Sequence, residues 1–164
     1  MAYNPPKFAG EITLPLSRNE SCGAIDDLPQ QLAAQAGLVN RYPDHRPLQT
    51  LIGETLGLDP GRIVVTAGGD DAIDRVMRTK INSARPKIAT HAPSFEMFAV
   101  YAALYDGQMQ QVPWLGGEFP TDAFIDQIDD QTAVAVVVSP NNPTGGLIAS
   151  DEILRIADAA ANRN

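Results

Sequence analysis

Two adjacent glycines stand between a β-branched run and a helical pattern, an arrangement that could bind an anion. In residues 66–73, TAGGDDAI, Gly68 and Gly69 would let backbone N–H groups approach a ligand, and the positive end of the next helix would point outward. In a simpler alternative, Asp70 and Asp71 only satisfy the helix N-terminus. The segment does not match G-x-G-x-x-G, so no dinucleotide fingerprint is predicted.

Two further segments stand out by composition and position. Residues 92–95, APSF, place the ring of Phe95 directly after a short strand pattern, where it could stack on a planar cofactor. Taken alone, such a residue is more often part of a core. Residues 139–145, SPNNPTG, follow a fully apolar run and combine two Asn, two Pro, a Thr and a Gly. This combination is rare by chance, so the segment is a candidate for function.

Apolar periodicity predicts the elements that must position these segments. The predicted strands are 62–66, 87–90, 108–112 and 132–138. The first predicted helix begins at Pro47. Three more cover 70–81, 94–105 and 121–128, and a last one, capped by Ser150, runs towards Ala161. Strands that alternate with helices indicate an α/β fold with a mainly parallel sheet and helices on both faces. Ligands of such sheets bind outside the carboxyl ends of the strands, where all three segments lie.

Length and composition indicate one core and a soluble protein. A chain of 164 residues with 44% hydrophobic content is too short for two ordinary domains. Residues 1–28 carry several prolines without sustained periodicity and are predicted to be an extended arm, and 29–164 to form the domain.

Charge and hydropathy exclude several partners. The net charge of -8 disfavours nucleic acid, whose phosphates would need Lys and Arg. The sequence shows neither a secretion signal nor 18 consecutive apolar residues, so a cytoplasmic protein without a membrane partner is expected. The single cysteine, Cys22, can form no internal disulfide and is interpreted as an inert small residue. His45 and His91 are too isolated to predict a metal site.

The three segments, in this order and spacing, resemble those of fold-type-I pyridoxal phosphate (PLP) aminotransferases. Two others point to the histidinol-phosphate branch: residues 16–20, LSRNE, resemble its Leu-x-x-Asn-Glu segment, and residues 40–44, NRYPD, resemble its Arg-Tyr-Pro-Asp motif. The resemblance covers nearly the whole chain. It implies that 29–164 is the N-terminal part of a large PLP-binding domain, and that the complete enzyme is a homodimer acting on an amino acid or amino-phosphate.

The resemblance also implies roles for single residues. Backbone N–H groups near Gly69 and Asp70 would hold the cofactor phosphate, and Phe95 would stack on the pyridine ring. Asn142 would donate a hydrogen bond to the ring's 3-oxygen. Tyr42 would reach across the dimer interface to the phosphate of the partner's cofactor. A further pair, Asn19 and Glu20, would lie by the substrate entrance.

The sequence departs from the family pattern at several points. Phe95 stands where Tyr is more usual, and Gly69 replaces Ala or Ser; neither change forbids PLP. The lysine that binds the cofactor covalently has no counterpart, because Lys7, Lys80 and Lys87 do not lie in the family's Ser-x-x-Lys setting. No segment resembles the Asp-Glu-Ala-Tyr strand. We therefore expect a truncated, catalytically inactive chain without catalytic residues of its own.

Three alternatives remain open from the sequence. A PLP decarboxylase acting on an amino acid phosphate would share the same segments. A non-catalytic α/β remnant that binds a phosphate ligand or a partner would explain the missing lysine. A nucleotide-binding Rossmann-like domain is weaker, because neither of its glycine-rich fingerprints occurs.

Overall fold

A computed structural model describes residues 27–163, and the chain divides between Val65 and Thr66 into two compact units. The boundary that the sequence predicts near residue 28 lies at the start of the first described helix and stays a prediction. The predicted arm at 1–28 lies almost entirely outside the described residues, so its extended conformation stays a prediction.

The described part of the first unit is built from short helices. Helix α1 covers Leu28–Ala34 and helix α2 covers Arg46–Leu56, while Ala36–Leu38 and Pro60–Arg62 form 3-10 turns. Helix α2 begins at Arg46, one residue before the predicted Pro47. Proline fits the first turn, because its missing N–H would have no helical partner there. Gly57 ends the helix in a left-handed conformation, φ 66°, which glycine adopts without steric cost.

The predicted strand 62–66 is wrong. Arg62 closes a 3-10 turn that Asp59 caps by accepting the N–H of Gly61 at 2.9 Å, and 63–66 are not part of any ladder among the described residues. The carbonyl of Ile63 accepts a hydrogen bond from the Gln49 side chain at 2.5 Å instead. A β-branched run favours extended backbone, but a strand also needs a neighbour, and this run has none in the described part of the chain.

The second unit contains a three-stranded sheet in the order β2-β1-β3. Strand β1 covers Lys87–Ala92, β2 covers Gln108–Pro113 and β3 covers Thr132–Ala135. Strand β1 pairs parallel with both neighbours. The register between β1 and β3 shifts between Lys87 and Ile88. The pairing extends one residue past the end of β3, where the N–H of Val136 donates to the carbonyl of Ala89 at 2.8 Å.

Four helices cover the two faces of this sheet. They are α3 at Gly68–Lys80, α4 at Met97–Leu104, α5 at Thr121–Asp126 and α6 at Ser150–Ala161. One face packs Ile88 and Val136 with Met77 of α3 and Ala102 of α4. The other face packs residues including Ala89, Phe124 of α5 and Ile156 of α6. The parallel α/β sheet with helices on both faces is therefore confirmed.

Helices α4 and α6 begin at other residues than predicted. Helix α4 begins at Met97 and not at Ser94, so Phe95 lies in the preceding loop. Ser150 is the first residue of α6 and not its cap; the cap position is Ala149, whose N–H donates to the Glu152 carboxylate at 3.3 Å. Of the helices in 27–163, none is both long and apolar enough to cross a membrane.

The buried face under α5 and α6 yields a stability prediction. Phe124 is fully buried, so Phe124→Ala should lower the free energy of unfolding by about 3–5 kcal/mol, through lost apolar contacts and the cavity left behind. Urea denaturation followed by circular dichroism measures this. Leu115→Ala is the control, because Leu115 is 86% exposed and its loss should change stability little. Equal effects of the two substitutions would contradict the packing described here.

Candidate functional site

The loops after the three strands meet at one edge of the sheet, because the strands are parallel. The N–H of Trp114, the first residue after β2, donates to the carbonyl of Ala92 at the end of β1, at 2.7 Å. The side-chain amide of Asn141, in the loop after β3, donates to the carbonyl of Pro93 at 3.1 Å. Two of the three candidate segments, 92–95 and 139–145, thus meet at the carboxyl edge, as predicted.

Helix α3 runs antiparallel to the strands and brings its N-terminus to the same edge. A Cβ at Gly107, just before β2, would lie 2.6 Å from Cδ1 of Ile88 and 3.0 Å from Cδ1 of Ile81. Ile81 follows the last residue of α3, so that end lies at the amino edge of the sheet. The helix is about 20 Å long at 1.5 Å per residue, which matches the length of a six-residue strand.

The N-terminus of α3 presents backbone donors that have no partner among the described residues. They are the N–H groups of Gly68, Gly69 and Asp70, which no helical carbonyl can reach. Gly68 has φ 85°, which favours glycine, and the space beside Gly69 is open. Asp71 does cap the helix, while these three donors stay available, and anion binding at this segment stays a prediction.

Asp71 carries out that capping role. Its carboxylate accepts the N–H of Ala67 at 2.8 Å and pairs with the Arg75 guanidinium at 2.9 Å. The hydrogen bond from Arg75, followed by the one from Ala67, lowers the pKa of Asp71. Asp71 is therefore engaged within the helix, whereas Asp70 is exposed at its first turn.

Phe95 lies at this edge between core and solvent. Its ring is partly buried and packs edge-to-face against Phe98, with the centroids 6.0 Å apart. Helix α4, which follows, is held to α3 by the Tyr105 hydroxyl, which donates to the Asp74 carboxylate at 2.5 Å. This hydrogen bond is the main reason that the pKa of Tyr105 is raised. Phe95 thus sits on a fixed support and keeps part of its surface free.

The two adjacent asparagines after β3 differ in their surroundings. Asn141 is buried, with hydrogen bonds to Pro93 and, at 2.8 Å, to the Thr144 hydroxyl. Asn142 is only partly buried, and its side chain has no hydrogen-bond partner within 27–163. The Asn142 amide is therefore free within 27–163, and its role towards the cofactor stays a prediction. Asn141 is a structural neighbour that the residue pattern did not single out.

A buried aromatic cluster under these loops was also missed. His91 is fully buried and packs edge-to-face on Trp114 at 5.2 Å and on Phe119 at 5.5 Å. Its Nε2 accepts the N–H of Val138 at 3.4 Å. Burial lowers the pKa of His91, because the charged ring would lose its hydration. The period of two along β1 was the available signal, since His91 shares a face with Ala89.

The remaining predicted residues, Tyr42, Asn19 and Glu20, precede the second unit in the chain. Tyr42 belongs to the first unit and is fully exposed. Close to it, Asp44 accepts hydrogen bonds from the side chain and backbone of Arg46, which lower the pKa of Asp44 to about 2. Asn19 and Glu20 lie outside the described residues, so their roles stay predictions.

The described lysines lie away from the carboxyl edge. Lys80 is the last residue of α3, whose N-terminus is the end at that edge. Lys87 is the first residue of β1 and pairs with Asp129 at 2.5 Å. The hydrogen bond from Lys87 is the largest cause of the lowered pKa of Asp129. Lys7 lies outside the described residues.

The geometry agrees with what comparison with known proteins finds. The model of the family "aminotransferase class I and II" matches residues 11–164. The chain belongs to this family. The resemblance inferred from the three segments is therefore confirmed at the level of the family.

Relatives within the aminotransferases narrow the resemblance. A histidinol-phosphate aminotransferase of Rhodospirillum rubrum is 33% identical over 156 residues, which are 93% of this chain and 42% of that protein. The chain thus spans about two fifths of the length of the curated relatives it matches.

Solved structures support the fold. The histidinol-phosphate aminotransferase of Sinorhizobium meliloti in complex with pyridoxal-5'-phosphate matches with a TM-score of 0.75 and 19% identity, over 87% of this chain and 39% of that one. An L-threonine-O-3-phosphate decarboxylase of Porphyromonas gingivalis matches with a TM-score of 0.63 and 23% identity, over 81% of this chain and 41% of that one. At these identities the likeness shows the fold-type-I aminotransferase architecture alone.

The buried histidine yields a prediction for stability against pH. Because burial lowers the folded-state pKa of His91 below its ordinary 6.5, the unfolded chain takes up a proton first. Stability present above about pH 6.5 should thus be lost as the pH falls towards the folded-state pKa, by at most about 1.4 kcal/mol per pH unit. His91→Leu should flatten this slope in urea unfolding measured between about pH 8 and pH 5.

Phe119→Leu is the control for this measurement. It loosens the same aromatic cluster but keeps the histidine, so it should lower stability at every pH and retain the wild-type slope. Identical slopes for wild type and His91→Leu would show that His91 is not the group that titrates.

Proposed function

We propose that this chain supplies the cofactor-holding part of a PLP-dependent aminotransferase. The observation that carries the proposal is the set of unpartnered donors at the carboxyl edge: the N–H groups of Gly68, Gly69 and Asp70 at the start of α3, and the amide of Asn142. Membership in the aminotransferase family supports PLP as the common ligand of these donors. The complete enzyme would be a cytoplasmic homodimer.

The donor set fits the chemistry of the cofactor. A phosphate is stabilised by free N–H groups at a helix N-terminus, where the helix dipole adds a favourable charge. The Asn142 amide can donate to the ring oxygen, and the free surface of Phe95 can stack on the pyridine ring. When bound, PLP supplies an electron sink for the amino-transfer reaction. The residues of this chain would bind and orient it.

The substrate proposal rests on the relatives. Two histidinol-phosphate aminotransferases are 33% and 31% identical to the chain. We therefore propose an amino-phosphate such as histidinol phosphate as the amino donor and 2-oxoglutarate as the acceptor. Asn19 and Glu20 would line the substrate entrance, and Tyr42 would contact the phosphate of the partner's cofactor. Asn142 and Phe95 would serve a PLP decarboxylase equally, so they do not select the reaction.

Binding of pyridoxamine phosphate tests the cofactor site. This form of the cofactor carries an amine in place of the aldehyde, so it does not react with surface lysines. Asn142→Ala should weaken its binding by about 10- to 150-fold, because a hydrogen bond to a charged oxygen contributes about 1.5–3 kcal/mol. Quenching of the single tryptophan, Trp114, and equilibrium dialysis measure the dissociation constant.

Gln131→Ala is the matched control. It removes an amide side chain just before β3, at the amino edge of the sheet, and should leave affinity unchanged. If the wild-type chain does not bind pyridoxamine phosphate, or if both substitutions have the same effect, the proposed cofactor site is wrong.

A second expectation concerns the lysines. Lys80 and Lys87 lie away from the carboxyl edge, so we expect the 164-residue chain with added PLP to transfer no amino group from histidinol phosphate to 2-oxoglutarate. Mass spectrometric detection of glutamate over many hours measures this. Glutamate formation would contradict the expectation, and its disappearance in Lys80→Arg or Lys87→Arg would assign the covalent role to that lysine.

A further inference from the structure

Asn141 joins the two loops that carry Phe95 and Asn142. Its side-chain Nδ2 donates to the carbonyl of Pro93 at 3.1 Å and to the hydroxyl of Thr144 at 2.8 Å. The first bond reaches the loop after β1, two residues before Phe95. The second stays within the loop after β3. One amide group therefore connects the two loops that carry the proposed ring-binding residues.

The backbone of Asn141 organises its own loop as well. Its N–H donates to the carbonyl of Gly146 at 2.7 Å, and its carbonyl accepts the N–H of Gly145 at 2.6 Å. Gly146 in turn lies against the ring of Trp114, where a Cβ would come within 2.6 Å of the ring. The residue that precedes Asn142 is thus fixed on several sides.

Stability alone does not account for an asparagine at this position. Asn141 is 3% exposed, and its Oδ1 has no hydrogen-bond partner in the described part of the chain. A buried acceptor without a partner destabilises a fold. The Asn141 side chain therefore combines an unfavourable Oδ1 with the two hydrogen bonds that its Nδ2 donates. Positions that break a local rule in this way are often tied to function.

We propose that Asn141 is a positioning residue that holds the Phe95 loop and the Asn142 loop in one mutual arrangement, so that ring stacking and the hydrogen bond to the ring oxygen act together. This inference rests on the proposed function. It assigns Asn141 no contact with the cofactor. Its effect passes through Pro93 on one side and the adjacent Asn142 on the other.

The geometry separates this role from general support of the fold. None of the described hydrogen bonds of Asn141 involves the N-terminus of α3, where the phosphate group would bind. Loss of Asn141 should therefore weaken the binding of ligands that carry the pyridine ring and leave the binding of phosphate alone unchanged. A loss of overall folding would weaken both.

The experiment compares pyridoxamine phosphate with inorganic phosphate on the 164-residue chain. Asn141→Ala should weaken the binding of pyridoxamine phosphate about tenfold. The inhibition constant of inorganic phosphate, measured by competition, should change less than about twofold. In an Asn142→Ala background the effect of Asn141→Ala should largely disappear, because the hydrogen bond that Asn141 positions is already absent. Thr144→Ala keeps the bond to Pro93 and should have the smaller effect.

The outcomes separate the two proposals. If wild type does not bind pyridoxamine phosphate, the proposed function fails. If wild type binds and Asn142→Ala weakens binding, but Asn141→Ala weakens both ligands equally or acts additively with Asn142→Ala, only the positioning role is overturned.

A measurement on the unmodified chain covers the case in which Asn141→Ala does not fold. Hydrogen exchange follows the N–H of Gly145, bonded to Asn141, and the N–H of Phe98, bonded to Phe95 at 3.4 Å. If one link holds both loops, pyridoxamine phosphate should raise the protection of these two amides together. Protection of only one of them would overturn the proposal.

Discussion

Parallel pairing of β1 with a neighbour on each side is the constraint on which the site depends. Parallel strands end at the same edge, so the loops after β1, β2 and β3 must meet there. Side chains alternate between the faces, and this alternation sends Ile88 towards α3 and α4 and Ala89 towards α5 and α6. A shift of one residue would exchange these faces and move His91 out of its aromatic surroundings.

Most of the second unit could be predicted from residue patterns. The apolar run before 139 packs on both faces of the sheet, and the spacing of apolar residues in α3 and α6 matches the faces that pack there. Prediction failed at 62–66, since a β-branched run indicates extended backbone but not a partner strand. It failed at Ser150 because Ala149, which cannot cap with its side chain, takes the cap position and Glu152 supplies the acceptor.

At the site, residue types were predictable but their partners were not. Asn141 and Asn142 are identical in type and adjacent in sequence, yet one is buried and bonded and the other has a free amide. Asp70 and Asp71 differ in the same way, because only Asp71 reaches back to Ala67. Such differences depend on the direction of each side chain relative to a neighbouring loop, which is long-range information that a local pattern does not contain.

The contact between Trp114 and Gly146 links two loops that are distant in sequence. Position 146 has no room for a side chain because the indole fills the space, and the indole is itself anchored by its N–H to the carbonyl of Gly117 at 3.2 Å. Neither residue can change alone without opening a void or creating a clash. Across an evolving lineage, the two positions should therefore vary as a pair, with a smaller residue at 114 wherever 146 gains a side chain.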